Sequence, residues 1–212
     1  MKTPAVEIRG LKKSFEDVQA LDGIDLTINQ GQFFGLLGPN GAGKTTIINI
    51  LTGLVIRQEG STKIFGQDTI KDYRFTRAKI GIAAQELSID WFFPIEKLLM
   101  FHAGYYGISK ILAQERVADI IDRLGLKEKR NTRLRQLSGG MKRRYQLAKA
   151  LVHDPDIIIL EEPTEGVDLQ QRHELSDNFQ QIHHEGKTIL HTTHYKPLER
   201  FQTKIQNTLS QL

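Results

Sequence analysis

Apolar and polar positions alternate in short runs at the start of the chain, and "AVEIRGL", "GIDLTIN" and "QFFGLLG" read as strands. From Thr45 to Leu54 the apolar residues Ile47, Ile48, Ile50, Leu51 and Leu54 predict a buried helix, with Gly53 near its end. "STKIFG" predicts a further strand, and "KIGIAAQE" one that ends at Gln85. From Leu87 to Val152 the pattern turns helical. Leu98, Phe101 and Tyr105 fall on one face, and Val117, Ile120, Ile121 and Leu124 on another. "IIIL" at 157–160, led in by Asp154-Pro155-Asp156, predicts a strand buried on both faces that runs into Glu161 and Glu162. A helix with Leu175, Phe179 and Ile182 on one stripe follows and stops near Gly186, and "KTILHTTH" is the last predicted strand. After His194, Phe201, Ile205, Leu209 and Leu212 suit one amphipathic helix, which would leave a sheet edge bare. Strands alternating with helices indicate an α/β sheet, with the long helical block as an insertion.

Composition narrows the class. A 39% hydrophobic content with 18 glycines fits a globular chain, and 212 residues suffice for a substantial core. No apolar run reaches the roughly 20 residues that cross a bilayer, and "MKTPAVEIRG" does not resemble a signal peptide. The absence of cysteine excludes disulfides and thiolate metal sites, so the expected compartment is the cytosol. The net charge of +4 is uneven. Lys127, Lys129, Arg130, Arg133, Arg135, Lys142, Arg143 and Arg144 stand against Glu128 alone in one segment. These charges suit a solvated surface, the surroundings of a bound phosphate, or anionic lipid heads. No aromatic residue alternates with them, so no nucleic-acid partner is expected.

"GPNGAGKTT" at 38–46 matches G-x-x-x-x-G-K-[ST] between an apolar strand and an apolar helix. In Gly38-Pro39-Asn40-Gly41-Ala42-Gly43-Lys44-Thr45-Thr46, the glycines let the backbone curl so that N–H groups point at phosphate oxygens. Lys44 would reach the terminal phosphates, the Thr45 hydroxyl would ligate Mg²⁺, and the following helix adds its positive end. The motif implies binding of a nucleoside triphosphate. In P-loop proteins a second apolar strand ends in an acidic residue that holds Mg²⁺. Glu161 occupies that place, and Glu162 is then placed to orient or deprotonate the attacking water.

"QLSGGMKRR" at 136–144 resembles the signature of the ATP-binding-cassette (ABC) ATPases. The order of P-loop, Gln85, signature, acidic strand with "EPT", "GVD" and "TTH" is similar to the family over about Val6 to Tyr195. "AGYYG" and "LSGGMKRR" look most like the bacterial exporter subgroup that moves drugs or polysaccharides. The resemblance implies a P-loop NTPase core at 1–84 and 153–212 with an antiparallel β-subdomain, and an inserted α-helical subdomain at 85–152. It implies ATP and Mg²⁺ as ligands, with Thr45, Gln85 and Glu161 at the metal. Phe15 would stack on adenine, the alternative being a core phenylalanine of the first sheet. Gln85 would sense the γ-phosphate, and His194 would contact it. Ser138, Gly139 and Gly140 would face the ATP of a second subunit, and Asp168 would cross to that subunit. Ser138 is equally a good helix N-cap, with Met141, Tyr145, Ala148 and Val152 following at helical spacing. His183, His184 and His191 read as surface or packing residues.

The family thus implies a motor that closes as a homodimer or with a paired ABC subunit on ATP. That motor would sit on the inner face of the membrane through a permease subunit. Six of the aromatics lie between Trp91 and Tyr106, and Trp91, Phe92 and Phe93 suit either a permease groove or core packing. Glu161 departs from the aspartate usual in the family. Its extra methylene is expected to slow turnover, because Mg²⁺ demands near-ideal octahedral geometry. The alternative function is an ATP-gated, dimerising regulatory subunit with little turnover.

Overall fold

The computed structural model describes residues 2–84, 92–163, 168–193 and 204–205. Strands β1 (Val6–Phe15) and β2 (Val18–Ile28) form a hairpin, and β3 (Phe33–Leu37) leads into α1 (Lys44–Leu51). Next come β4 (Glu59–Ile64), β5 (Gln67–Asp68), α2 (Tyr73–Ala78) and β6 (Ile80–Ala83). Three helices follow, α3 (Ile95–Tyr105), α4 (Lys110–Arg123) and α5 (Gly139–Leu151). The chain then returns through β7 (Ile157–Glu161), α6 (Leu169–His184), β8 (Thr188–Thr193) and β9 (Lys204–Ile205). The antiparallel sheet has the order β2-β1-β4-β5, and the parallel sheet the order β6-β7-β8-β3-β9.

β7 shows why the parallel sheet needs uninterrupted apolar runs. Side chains alternate between the faces of a strand. Ile157 and Ile159 join a core with α1 and the antiparallel sheet, while Ile158 and Leu160 join a second core with α3–α6. Each such side chain contributes about 1.5–3 kcal/mol on burial. α4 buries Ala113, Val117, Ile120 and Ile121, and its N-cap Ser109 accepts a bond from the Leu112 N–H. α6 buries Leu175, Phe179 and Ile182, and Gly186 follows at φ +88°.

Three expectations are corrected. Leu54 is exposed, because α1 ends at Leu51 and Gly53, at φ +76°, turns the chain away. The Arg77 guanidinium donates to the Gly53 carbonyl at 2.9 Å and occupies the space where a Cβ would be. Of the face Leu98, Phe101 and Tyr105, only Leu98 is buried. The third concerns the amphipathic helix expected after His194 and the bare sheet edge. Lys204–Ile205 is instead a strand, parallel to β3 at Phe34 and Gly35. The free N–H and C=O groups along β3 favour pairing over a helix whose pattern rested on four positions.

Within the basic segment, Arg130 pairs with Glu96, Lys127 with Asp122 and Arg144 with Glu174. His191 is buried and meets Phe33 edge-on at 6.3 Å, which confirms it as a packing residue. His153 stacks on Tyr106 at 3.7 Å, with His102 beside them.

Burial lowers His191 to a pKa of about 4, against a smaller opposing effect of its bond to the Thr192 carbonyl. Burial also lowers His102 and His153 to about 4. These histidines are neutral in the folded state and regain their ordinary pKa near 6.5 on unfolding, so the unfolded chain binds more protons between those values. Stability is unaffected by them above pH 6.5 and falls as the pH drops from 6.5 towards 4. His191 alone should cost about 2 kcal/mol by pH 5. Urea midpoints at pH 7 and pH 5 measure this, and His191→Asn should remove only its own share of the dependence, leaving that of His102 and His153.

Candidate functional site

The P-loop joins β3 to α1 at the C-terminal edge of the parallel sheet. Gly41 and Gly43 take φ of +84° and +80°, which favours glycine at both. Gly38 is not left-handed. Its carbonyl accepts from Lys44 Nζ at 2.6 Å, and the Pro39 carbonyl does so at 3.0 Å. Lys44 is thereby held at 8% exposure inside the loop. At Gly43 a Cβ would lie 2.6 Å from the Ala20 carbonyl and 2.7 Å from Leu21 Cδ2. Close packing of β2 on the loop therefore requires glycine there, a reason invisible in the motif itself. No side chain caps α1, whose first N–H groups open towards the loop.

Residues 40–46 line a cavity of about 320 Å³ together with Glu161, Glu162 and Thr192. Parallel pairing of Glu161 with Thr192, and of Leu37 with Thr193, brings the ends of β7, β8 and β3 level. A lysine ammonium, an uncapped helix start, a threonine hydroxyl and two carboxylates thus meet in one recess. That set fits a polyphosphate with a hard, oxygen-seeking cation.

Phe15 ends β1 at 45% exposure, with Lys13 Nζ 5.0 Å from its ring centroid, so it is not a core phenylalanine. Lys13 pairs with Leu21, the residue that touches Gly43, which puts Phe15 two residues beyond the contact with the loop.

A second recess, of about 270 Å³, is lined by Ser138, Gly140, Met141, Arg144, Asp168 and the start of α6. None of its residues lines the P-loop cavity. Ser138 caps α5 and accepts from the Met141 N–H at 3.3 Å, and Asp168 caps α6 through the Gln171 N–H at 2.8 Å. The Gln171 side chain lies where a Gly140 Cβ would be, at 2.5 Å. Nothing in the signature pattern points to Gln171, and nothing in the P-loop pattern to Thr192. Gln85, His194 and Trp91 lie outside the described residues. Phe92 and Phe93 are exposed, with Arg135 and Lys97 over their rings.

The family model described as ABC transporter matches residues 21–165. Nod factor export ATP-binding protein I of Paraburkholderia xenovorans (strain LB400) is 38% identical over 195 residues, 92% of this chain and 64% of that protein. Its counterpart in Cupriavidus pinatubonensis is 37% identical over 91% of this chain and 59% of that protein. The chain thus spans less than two thirds of these relatives. Among solved structures, cbiO1 of Clostridium perfringens, part of the ABC transporter complex cbiONQ, superposes with a TM-score of 0.81 at 27% identity, covering 91% of this chain and 79% of that one. The ADP conformation of an ATP-binding cassette of an ABC transporter gives 0.81 at 24% identity, covering 91% and 82%, which supports the fold alone.

The two left-handed glycines of the loop should respond differently to alanine. At Gly41 a Cβ meets nothing within 4 Å, so Gly41→Ala costs only conformational strain, about 1–2 kcal/mol. Gly43→Ala adds a clash with the β2 backbone and should cost at least about 3 kcal/mol while displacing the loop. Thermal melts and binding of a fluorescent ATP analogue measure both effects, and only Gly43→Ala should lower affinity about tenfold or more.

Proposed function

The chain belongs to the ABC transporter family, and we propose that it is the ATP-binding and ATP-hydrolysing subunit of an export transporter. The observation that carries this reading is the single cavity in which Lys44 and Thr45 of the P-loop face Glu161 and Glu162. Export is supported by the relatives named for Nod factor export.

In this reading the loop N–H groups and Lys44 hold the phosphates of ATP, and Phe15 takes the adenine. Thr45, Glu161 and Gln85 would hold Mg²⁺, which supplies neutralising charge at the phosphates when bound. Glu162 receives the proton of the attacking water, and His194 contacts the γ-phosphate. The recess at Ser138, Gly140 and Asp168 is separate from the P-loop cavity in one chain, as it must be if it meets the ATP of a second subunit. Residues 85–152 act as the inserted helical subdomain, and the exposed rings of Phe92 and Phe93 are available to a permease subunit. No helix among the described residues is long and apolar enough to cross a membrane. In this reading the permease partner holds the chain on the inner face of the membrane.

Glu161 favours a second reading, a nucleotide-gated regulatory subunit, because its longer side chain displaces the carboxylate from the aspartate position. Phosphate release with Mg-ATP separates the two. Glu162→Gln should abolish turnover, and Glu161→Asp should raise it by about tenfold to a hundredfold. An unchanged rate in Glu161→Asp would remove the geometric penalty assigned to the methylene. A silent parent with an active Glu161→Asp would assign the regulatory role.

A further inference from the structure

Four described residues other than glycine have positive φ: Glu16, Phe65, Asp154 and Glu162. The first three lie in connections between elements. Glu16 joins β1 to β2, Phe65 joins β4 to β5, and Asp154 lies between α5 and β7. Glu162, at φ +42°, instead follows the last residue of β7 and lines the P-loop cavity. Consecutive side chains of an extended strand point to opposite faces. Glu161 and Glu162 nevertheless line the same cavity. The left-handed backbone at Glu162 breaks the strand's alternation, so that two consecutive residues reach one cavity.

That conformation costs roughly 1–2 kcal/mol for a residue with a Cβ, so contacts must hold it. The Glu162 N–H donates to Thr192 Oγ1 at 3.3 Å. Thr192 is only 3% exposed, pairs in register with Glu161 and lines the cavity as well. At Glu161 the chain leaves the ladder, and the hydroxyl supplies the acceptor for the next N–H. A β-branched side chain is stiff about χ1, and its burial fixes the hydroxyl further.

We infer that Thr192 is a positioning residue that locks the peptide of Glu162 in its left-handed turn and so aims the Glu162 carboxylate into the nucleotide cavity. The inference rests on the reading of Glu162 as the group that takes the proton from water. A misdirected base slows the chemical step without loosening substrate, because the loop contacts remain intact.

The test compares the parent chain with Thr192→Val, Thr192→Ser and Glu162→Gln by amide hydrogen exchange and steady-state hydrolysis of Mg-ATP. In Thr192→Val the Glu162 amide should exchange about tenfold faster, with kcat about tenfold lower and KM for ATP within about twofold. Thr192→Ser, which keeps the hydroxyl, should restore both readouts. Unchanged exchange at Glu162 overturns the inference, and needs no turnover to be seen. A parent-like kcat in Thr192→Val beside a silent Glu162→Gln also overturns it, as does a change confined to KM. Parent-like turnover in Glu162→Gln defeats the base assignment instead, and with it the aiming role. Should Thr192→Val fail to fold, Thr192→Ala carries the same expectations.

Discussion

Everything chemical in this molecule depends on the in-register parallel ladder of β3, β7 and β8. Parallel strands place their C-terminal ends along one edge, and ligands of open α/β sheets bind beyond that edge. Here the alignment is exact to the residue, with Leu37 paired to Thr193 and Glu161 to Thr192. A slip of one position would turn Glu161 to the other face of the sheet, away from the P-loop. The ladder is secured by side chains on both faces, where Ile157 and Ile159 belong to one core and Ile158 and Leu160 to the other. The apolar run before the carboxylates therefore acts as a shared wall between two packed layers.

Much of this was legible in the sequence. The P-loop is local chemistry, since glycine spacing, lysine and hydroxyl follow one another within nine residues. The run "IIIL" before two glutamates announces a buried strand with charges at its mouth. The capping of α5 by Ser138 and the buried stripe of α6 also follow from short-range rules of helix ends and periodicity.

The rest depends on contacts between distant segments. Gly43 looks like a phosphate-loop glycine, yet its closest constraint is the backbone of Ala20. Gly140 looks like a signature glycine, yet the Gln171 side chain fills the space beside it. The segment after His194 has helical spacing, and the unpaired side of β3 decides otherwise for Lys204–Ile205. Leu54 continues the apolar rhythm of α1 but lies past a left-handed Gly53. In each case a pattern read along the chain cannot reveal the neighbour that arrives from elsewhere.

The position of β3 has a consequence for biosynthesis. Its neighbours in the sheet are β8 on one side and β9 on the other, both formed by residues from 188 onwards. A chain emerging from the ribosome makes the strand that carries the P-loop early and its partners late. Contacts so far apart in sequence close large loops and form slowly. Until then β3 presents two unpaired edges, open to wrong pairing with other nascent chains. The P-loop strand thus gains its parallel neighbours, including the strand of Thr192, only when the last described part of the chain has been made.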